Sequence, residues 1–140
     1  MAKIGYNGDI LGIQAWEWLK TEPTTVLVDV RTEPEWLYVG MPELSSVNKS
    51  LQMVCWQNYP RMEVNSEFAE QIAAAGIEKN QRVLLICRSG VRSKAAANLL
   101  AGLGYVSVYN ITDGFEGQID SLKHRGHGGW RALGLPWVQG

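Results

Sequence analysis

The chain has 140 residues, 13 Lys and Arg against 14 Asp and Glu, and a formal net charge of −1. That length fits one domain burying about two thirds of its extended surface, with 46% apolar residues and six Trp to build a core. The charge argues against a polybasic nucleic-acid binder, the apolar runs are too short to span a membrane, and two Cys make no disulfide framework. The first residues, Met-Ala-Lys-Ile-Gly-Tyr-Asn-Gly-Asp, carry no apolar export segment, so a cytoplasmic protein with reduced thiols is expected. CxxC and HExxH are absent, and neither a metal nor a cofactor is expected.

Residues 9–20 read as a helix capped by Asp9, with Ile10, Ile13, Trp16 or Glu17, and Leu19 or Lys20 near helical spacing. Pro23 and Thr24-Thr25 break that pattern. Val26 to Val30 is short, apolar and β-branched, the pattern of a strand covered on both faces. Residues 33–38 suit a short helix with Pro34 in its first turn. Residues 40–62 are the least periodic, with one short strand near Ser46-Val47-Asn48 and then a long loop carrying Cys55, Trp56 and Tyr59. Phe68, Ile72 and Ala75 predict a helix between Asn65 and a left-handed stop at Gly76. Arg82 to Ile86 is a second covered strand. Ser93 to Leu103 is the clearest helix, with Ala96, Leu99, Leu100 and Leu103 on one face and Gly104 ending it. Val106 to Tyr109 is a third strand, and a helical turn is expected around Trp130-Arg131-Ala132. Strands alternating with helices imply βαβ units, a parallel sheet, and ligands at the carboxyl ends of the strands.

The second strand runs directly into Cys87-Arg88-Ser89-Gly90-Val91-Arg92-Ser93, and a helix follows. A strand-to-helix turn gathers backbone N–H groups into one concavity, and the helix dipole adds positive potential there. A thiol at the floor of that concavity is favoured as thiolate. Lys79, Arg82, Arg88, Arg92 and Lys94 stand in a stretch with no acidic residue between Lys79 and Thr112. That local charge of +5 calls for a small anionic partner.

These features resemble the single-domain rhodaneses, thiosulfate sulfurtransferase-like proteins. The Cys87–Ser93 segment is similar to the family's active-site loop, and Asp29-Val30-Arg31 with Glu35 resembles its Asp-x-Arg element. Asp113-Gly114-Phe115-Glu116-Gly117 and Gly129-Trp130-Arg131-Ala132-Leu133-Gly134-Leu135-Pro136-Trp137 resemble its C-terminal landmarks, so the likeness runs in order across residues 26–137. The resemblance implies an α/β, three-layer fold: a central, mainly parallel five-stranded sheet flanked by helices. It implies a sulfurtransferase in which Cys87 carries sulfane sulfur as a persulfide, from a donor such as thiosulfate to a thiophilic acceptor such as cyanide or a thiol. Amides of Arg88, Ser89, Gly90, Val91, Arg92 and Ser93 would cradle the terminal sulfur, and Arg88 and Arg92 would orient the anionic donor. Asp29, Arg31 and Glu35 would support the loop, with Asp29 on loop amides or a loop Arg and Arg31 paired to Glu35. An alternative is a persulfide carrier or regulatory module whose donor and acceptor are proteins. A Cys-dependent phosphatase or arsenate reductase is disfavoured, because the related phosphatases use Cys-x5-Arg and Arg92 stands in a shorter Cys-x4-Arg loop.

The chain departs from the resemblance at Val39-Gly40-Met41-Pro42-Glu43-Leu44, which lacks the His many members carry, in the longer Ser45–Met62 stretch, and in an apparent insertion at Gln118–Gly128. Trp56 is the aromatic expected at the pocket rim. Cys55 reads as a small apolar loop residue, with a resolving thiol as the alternative. His124 and His127 stand three apart without a third ligand and read as surface loop residues. Of Trp16 and Trp18, one is expected in the core and one partly exposed, with Trp36, Trp130 and Trp137 in packing roles.

Overall fold

The two covered apolar runs of the sequence lie side by side at the centre of the molecule. The computed structural model describes residues 5–117 and 128–139. Its strands are β1 (Gly8–Ile10), β2 (Val26–Asp29), β3 (Met41–Pro42), β4 (Gln52–Met53), β5 (Gln57–Asn58), β6 (Glu63–Val64), β7 (Arg82–Ile86), β8 (Ser107–Ile111) and β9 (Trp137–Val138). Its helices are α1 (Gly12–Thr21), α2 (Glu33–Tyr38), α3 (Phe68–Ala74) and α4 (Val91–Gly102). Five strands form one sheet in the order β1-β8-β7-β2-β4, with every adjacent pair parallel. This is the expected α/β fold.

Alternation along the strands divides the core in two. Val28, Val83 and Leu85 face one way and pack with Phe68 and Ile72 of α3 and Ala96, Ala97 and Leu100 of α4. Leu27, Leu84 and Ile86 face the other way and pack with Ala15 and Leu19 of α1, Ile111, Phe115 and Trp130. Helices on both faces explain why β2 and β7 read as continuous apolar runs.

Several elements differ from the sequence reading. Asp9 lies in a strand, not at a helix cap: β1 pairs with β8, and Asp9 stands opposite Asn110. The first amide of α1, Gly12 N–H, is instead capped by the Asp113 carboxylate at 2.9 Å, a partner 101 residues away. Ser45–Val47 is a 3₁₀ turn rather than a strand. The fifth strand of the sheet comes from Gln52–Met53, and the expected long loop holds the β5–β6 hairpin. Helix α4 begins two residues early, at Val91, and buries Ser93, Ala96, Ala97 and Leu100, leaving Leu99 and Leu103 largely exposed. Trp16 and Trp18 are both half-buried. Trp130 is fully buried, while Trp137 is 37% exposed on the two-stranded β3–β9 ribbon. His124 and His127 lie outside the described residues, and among the described residues no cluster could hold a metal ion. Among those residues no helix is long and apolar enough to cross a membrane.

Candidate active site

Cys87 directly follows β7, and Gly90 caps α4 with a left-handed φ of 98°. Arg88, Ser89 and Gly90 fold the chain back over the sulfur of Cys87, a residue 1% exposed. Gly90 N–H donates to Cys87 Sγ at 3.1 Å, and Ser93 Oγ stands 3.2 Å from it. The turn after β8 braces the loop from behind: Phe115 N–H donates to the Cys87 carbonyl at 2.9 Å and Glu116 N–H to the Arg88 carbonyl at 3.0 Å. This contact needs glycine twice. A Cβ on Gly114, at φ 63°, would sit 2.4 Å from the Arg88 carbonyl oxygen, and one on Gly90 would sit 2.6 Å from the Thr112 carbonyl oxygen. The Asp113–Gly117 segment thus has a physical task, closing the back of the loop.

In front of the sulfur is a cavity of about 440 Å³ lined by Cys87, Arg88, Ser89, Val91, Arg92, Glu35, Gln57 and Met62. Arg92 reaches across it to Glu35 in a bidentate pair, Nη1 to Oε1 at 2.6 Å and Nη2 to Oε2 at 2.8 Å. Glu35 is held from its own helix too, since it accepts from the Thr32 hydroxyl at 3.0 Å in a capping box. Burial pushes the Glu35 carboxyl up, but bonds and charge from Arg92 and bonds from Thr32 outweigh it and hold the group below its ordinary range. The same pairing raises Arg92.

Three expectations about the site change accordingly. Arg31 does not pair with Glu35; it is fully buried against Asp29, with Nη2 at 2.7 Å from Oδ2, and donates to the Gly40 carbonyl. Asp29 therefore spends its carboxylate on Arg31 rather than on the loop. The +5 stretch is also divided by the length of β7. Arg82 opens that strand at the end remote from Cys87, paired with Glu22 at 2.7 Å and stacked 4.0 Å over Trp18. Lys79 lies at the same end, where its carbonyl accepts from Val106. Arg88, Arg92 and Lys94 remain on the thiol side, and among the described residues no carboxylate pairs with Arg88.

Trp56 does not form the rim. Its ring packs edge-on against Phe68 at 5.2 Å, and the hairpin offers Gln57 and Met62 to the cavity instead. Cys55 lines two other cavities, one with Leu37, Tyr38 and Tyr59 and one with Trp36 and Gln71. Burial, and then Asp29, Glu33 and Glu35, push its thiol up. The sequence reading also missed Asn110, behind Ser93, and the hydroxyl role of Ser93 itself. The available signal was the position of Asn110 near the carboxyl end of a parallel strand neighbouring the one that leads to Cys87.

A rhodanese-like domain model matches residues 13–119. The chain belongs to the rhodanese-like family. An uncharacterized protein of Rickettsia rickettsii, the RP600 homolog, is 36% identical over 130 residues, which cover 92% of this chain and 95% of that protein. The crystal structure of Rv0390 from M. tuberculosis superposes with a TM-score of 0.86 at 44% identity, covering 97% of this chain and all of that one (100%). The polysulfide-sulfur transferase homodimer of Wolinella succinogenes shares the fold, with a TM-score of 0.66 at 20% identity over 94% of this chain and 78% of its own. The rhodanese-like match spans β2, α2, β7 and α4, the elements that carry Asp29, Glu35 and Arg92 and flank Cys87.

Proposed function

We propose that this rhodanese-like chain is a sulfurtransferase that moves sulfane sulfur through a persulfide on Cys87. The observation that carries the reading is the sulfur of Cys87 at the floor of a cavity, met by the Gly90 N–H at a helix start and flanked by Arg88. In the first half-reaction the Cys87 thiolate attacks the outer sulfur of thiosulfate. A Cys–S bond forms, the S–S bond of the donor breaks, and sulfite leaves with the electron pair. In the second, a thiophile such as cyanide or a thiolate attacks the terminal sulfur and Cys87 leaves as thiolate. Loop amides stabilise the terminal charge in both steps, as fixed dipoles do. No cofactor enters this scheme. Two free thiols support a reducing, cytoplasmic setting.

A second reading, a persulfide carrier that exchanges sulfur with a protein, draws on two observations. Arg92 is already occupied by Glu35, so less positive charge faces a free dianion than the sequence suggests. The residues around the cavity mouth include Val91, 75% exposed, and Met62, 37% exposed. Intact mass spectrometry after thiosulfate treatment tests the first reading. The expected result is a gain of one sulfur located to Cys87 and removed by cyanide; no gain from thiosulfate, with a gain from a protein persulfide, selects the second. No gain from either source overturns both.

A further inference from the structure

Behind the thiol runs a chain of polar groups that the sulfur-transfer scheme does not use. Ser93, fully buried, has its Oγ 3.2 Å from Cys87 Sγ and 2.5 Å from Asn110 Oδ1. Asn110 is 2% exposed, and its Nδ2 donates to Asp9 Oδ1 at 3.0 Å and to the Gly90 carbonyl at 3.2 Å. The Tyr6 hydroxyl donates to the same Asp9 oxygen at 2.7 Å.

Counting protons fixes the direction of this chain. A carboxylate and a backbone carbonyl only accept hydrogen bonds, so the amide end facing both of them is the NH₂ end. Asn110 Oδ1 is then the end facing Ser93, and it too only accepts. The single hydroxyl proton of Ser93 therefore points at Asn110. What Ser93 turns toward sulfur is a lone pair, which accepts from a thiol S–H and opposes a thiolate. To donate to Sγ, Ser93 must withdraw its proton from Asn110, leaving two oxygens face to face. Turning the amide over would instead cost its bonds to Asp9 and Gly90.

We propose that Asn110 is a positioning residue for Cys87: anchored by Asp9 and the Gly90 carbonyl, it holds the Ser93 proton away from the sulfur while Cys87 is a thiol. Ser93 is thus a two-position group, acceptor to a thiol and donor to a thiolate, and Asn110 biases it toward the first. The proposal rests on Cys87 as the reacting group, as read above, but its test does not require sulfur transfer.

The experiment is the pH dependence of Cys87 alkylation by iodoacetamide, read on the Cys87 peptide by mass, in a Cys55→Ser background. Arg88, Arg92 and Glu35 line the cavity in front of the thiol and Asp9 lies behind it; the first three stay in place throughout. Asn110→Ala releases the Ser93 proton to sulfur, and the expected result is a rate at pH 6 about fivefold or more above the parent, with the profile moved to lower pH. Combined with Ser93→Ala, Asn110→Ala is expected to change nothing. A fall in rate, an unmoved profile, or an equal shift with and without Ser93 overturns the proposal. If Asn110→Ala does not fold, Asp9→Ala at the exposed end of the chain replaces it. Loss of the Asp9 charge acts with or without Ser93, so the part of the shift that Ser93→Ala abolishes reports the relay, and its absence overturns the proposal. Persulfide loading is measured separately. A relay shift in a protein that never accepts sulfur would sink the transferase reading and leave this one standing.

Discussion

The molecule holds two free thiols that line separate cavities, and their surroundings differ. Cys87 ends a central strand, accepts a backbone N–H, and faces a cavity with Arg88 and Arg92 in its wall. Cys55 follows the short edge strand β4, and its thiol is pushed up by burial and by three carboxylates. The larger cavity belongs to Cys55, about 550 Å³ against about 440 Å³. Size therefore does not point to the sulfur proposed as reactive. The direction of the surrounding dipoles and charges does, and Glu35 contributes to both sides: it pairs with Arg92 beside Cys87 and adds negative potential at Cys55.

The largest expected effect follows from removing the favoured sulfur. Cys87→Ala should abolish persulfide formation and transfer while the circular dichroism spectrum and melting curve stay near the parent's, because the sulfur's bonds are to Gly90 and Ser93 of the same loop and helix start, and the backbone bonds that brace the loop remain. Retained sulfur uptake in that variant would assign the chemistry to Cys55 and reverse the contrast. Next in size is Gly114→Ala. Its Cβ would collide with the Arg88 carbonyl at 2.4 Å, so the brace behind the loop must move. Overpacking and left-handed strain together cost about 2–5 kcal/mol, and sulfur loading should fall with stability. Gly76→Ala is the matched control, with a φ of 84° but nothing within 4 Å of the added carbon. It should lose about 1–2 kcal/mol and keep full loading. Equal losses of loading in the two variants would remove the brace from the explanation.

The same contrast divides what could be read from the sequence. Strands β2 and β7 were legible because both faces are covered, and α2 because Pro34 in its first turn is a local signal. The Cys87–Ser93 loop was legible for the same reason: strand, turn and helix are contiguous, so one stretch of sequence holds the geometry. Contacts between distant segments were not. Glu35 and Arg92 are 57 residues apart, and Ser93 meets Asn110 across two elements. Asp9 looked like a helix cap because nothing local reveals that Asp113 takes that task. The charge run misled for a geometric reason. Five strand residues at about 3.3 Å each separate Arg82 from Cys87 by roughly 16 Å, beyond a Debye length in physiological salt. The β5–β6 hairpin, with two residues per strand, is too short to show a period of two.

Glu35→Gln tests the charge half of the contrast at smaller amplitude. Replacing one carboxylate leaves Arg92 unpaired beside Cys87. The KM for thiosulfate should fall by about fivefold, the factor for roughly 1 kcal/mol between unit charges near 4 Å in a well-solvated site. A rise in KM would mean that the position of Arg92, rather than its charge, serves the donor. The pair also has a pH signature. The folded Glu35 carboxyl lies below its ordinary value of 4.5, so its stabilising contribution is complete above that value and is lost as pH falls through the lower folded one. Acid melting curves of parent and Glu35→Gln should therefore differ most at neutral pH and converge in acid. A gap that persists at low pH would remove ionisation from the account.

The smallest expected effect is at the other thiol. Burial and the carboxylates of Asp29, Glu33 and Glu35 disfavour the Cys55 thiolate, so at neutral pH it should alkylate more slowly than a free thiol. Glu35→Gln removes one of those charges and should speed Cys55 alkylation by less than about threefold, because Asp29, Glu33 and burial remain. Cys55→Ser should leave thiosulfate turnover unchanged, since Cys55 lines neither wall nor floor of the Cys87 cavity. Thiol titration after peroxide gives the counter-test. Loss of both thiols in a monomeric chain would mean that the segment following β4 carries Cys55 to Cys87, and the two cavities would then act as one site rather than two.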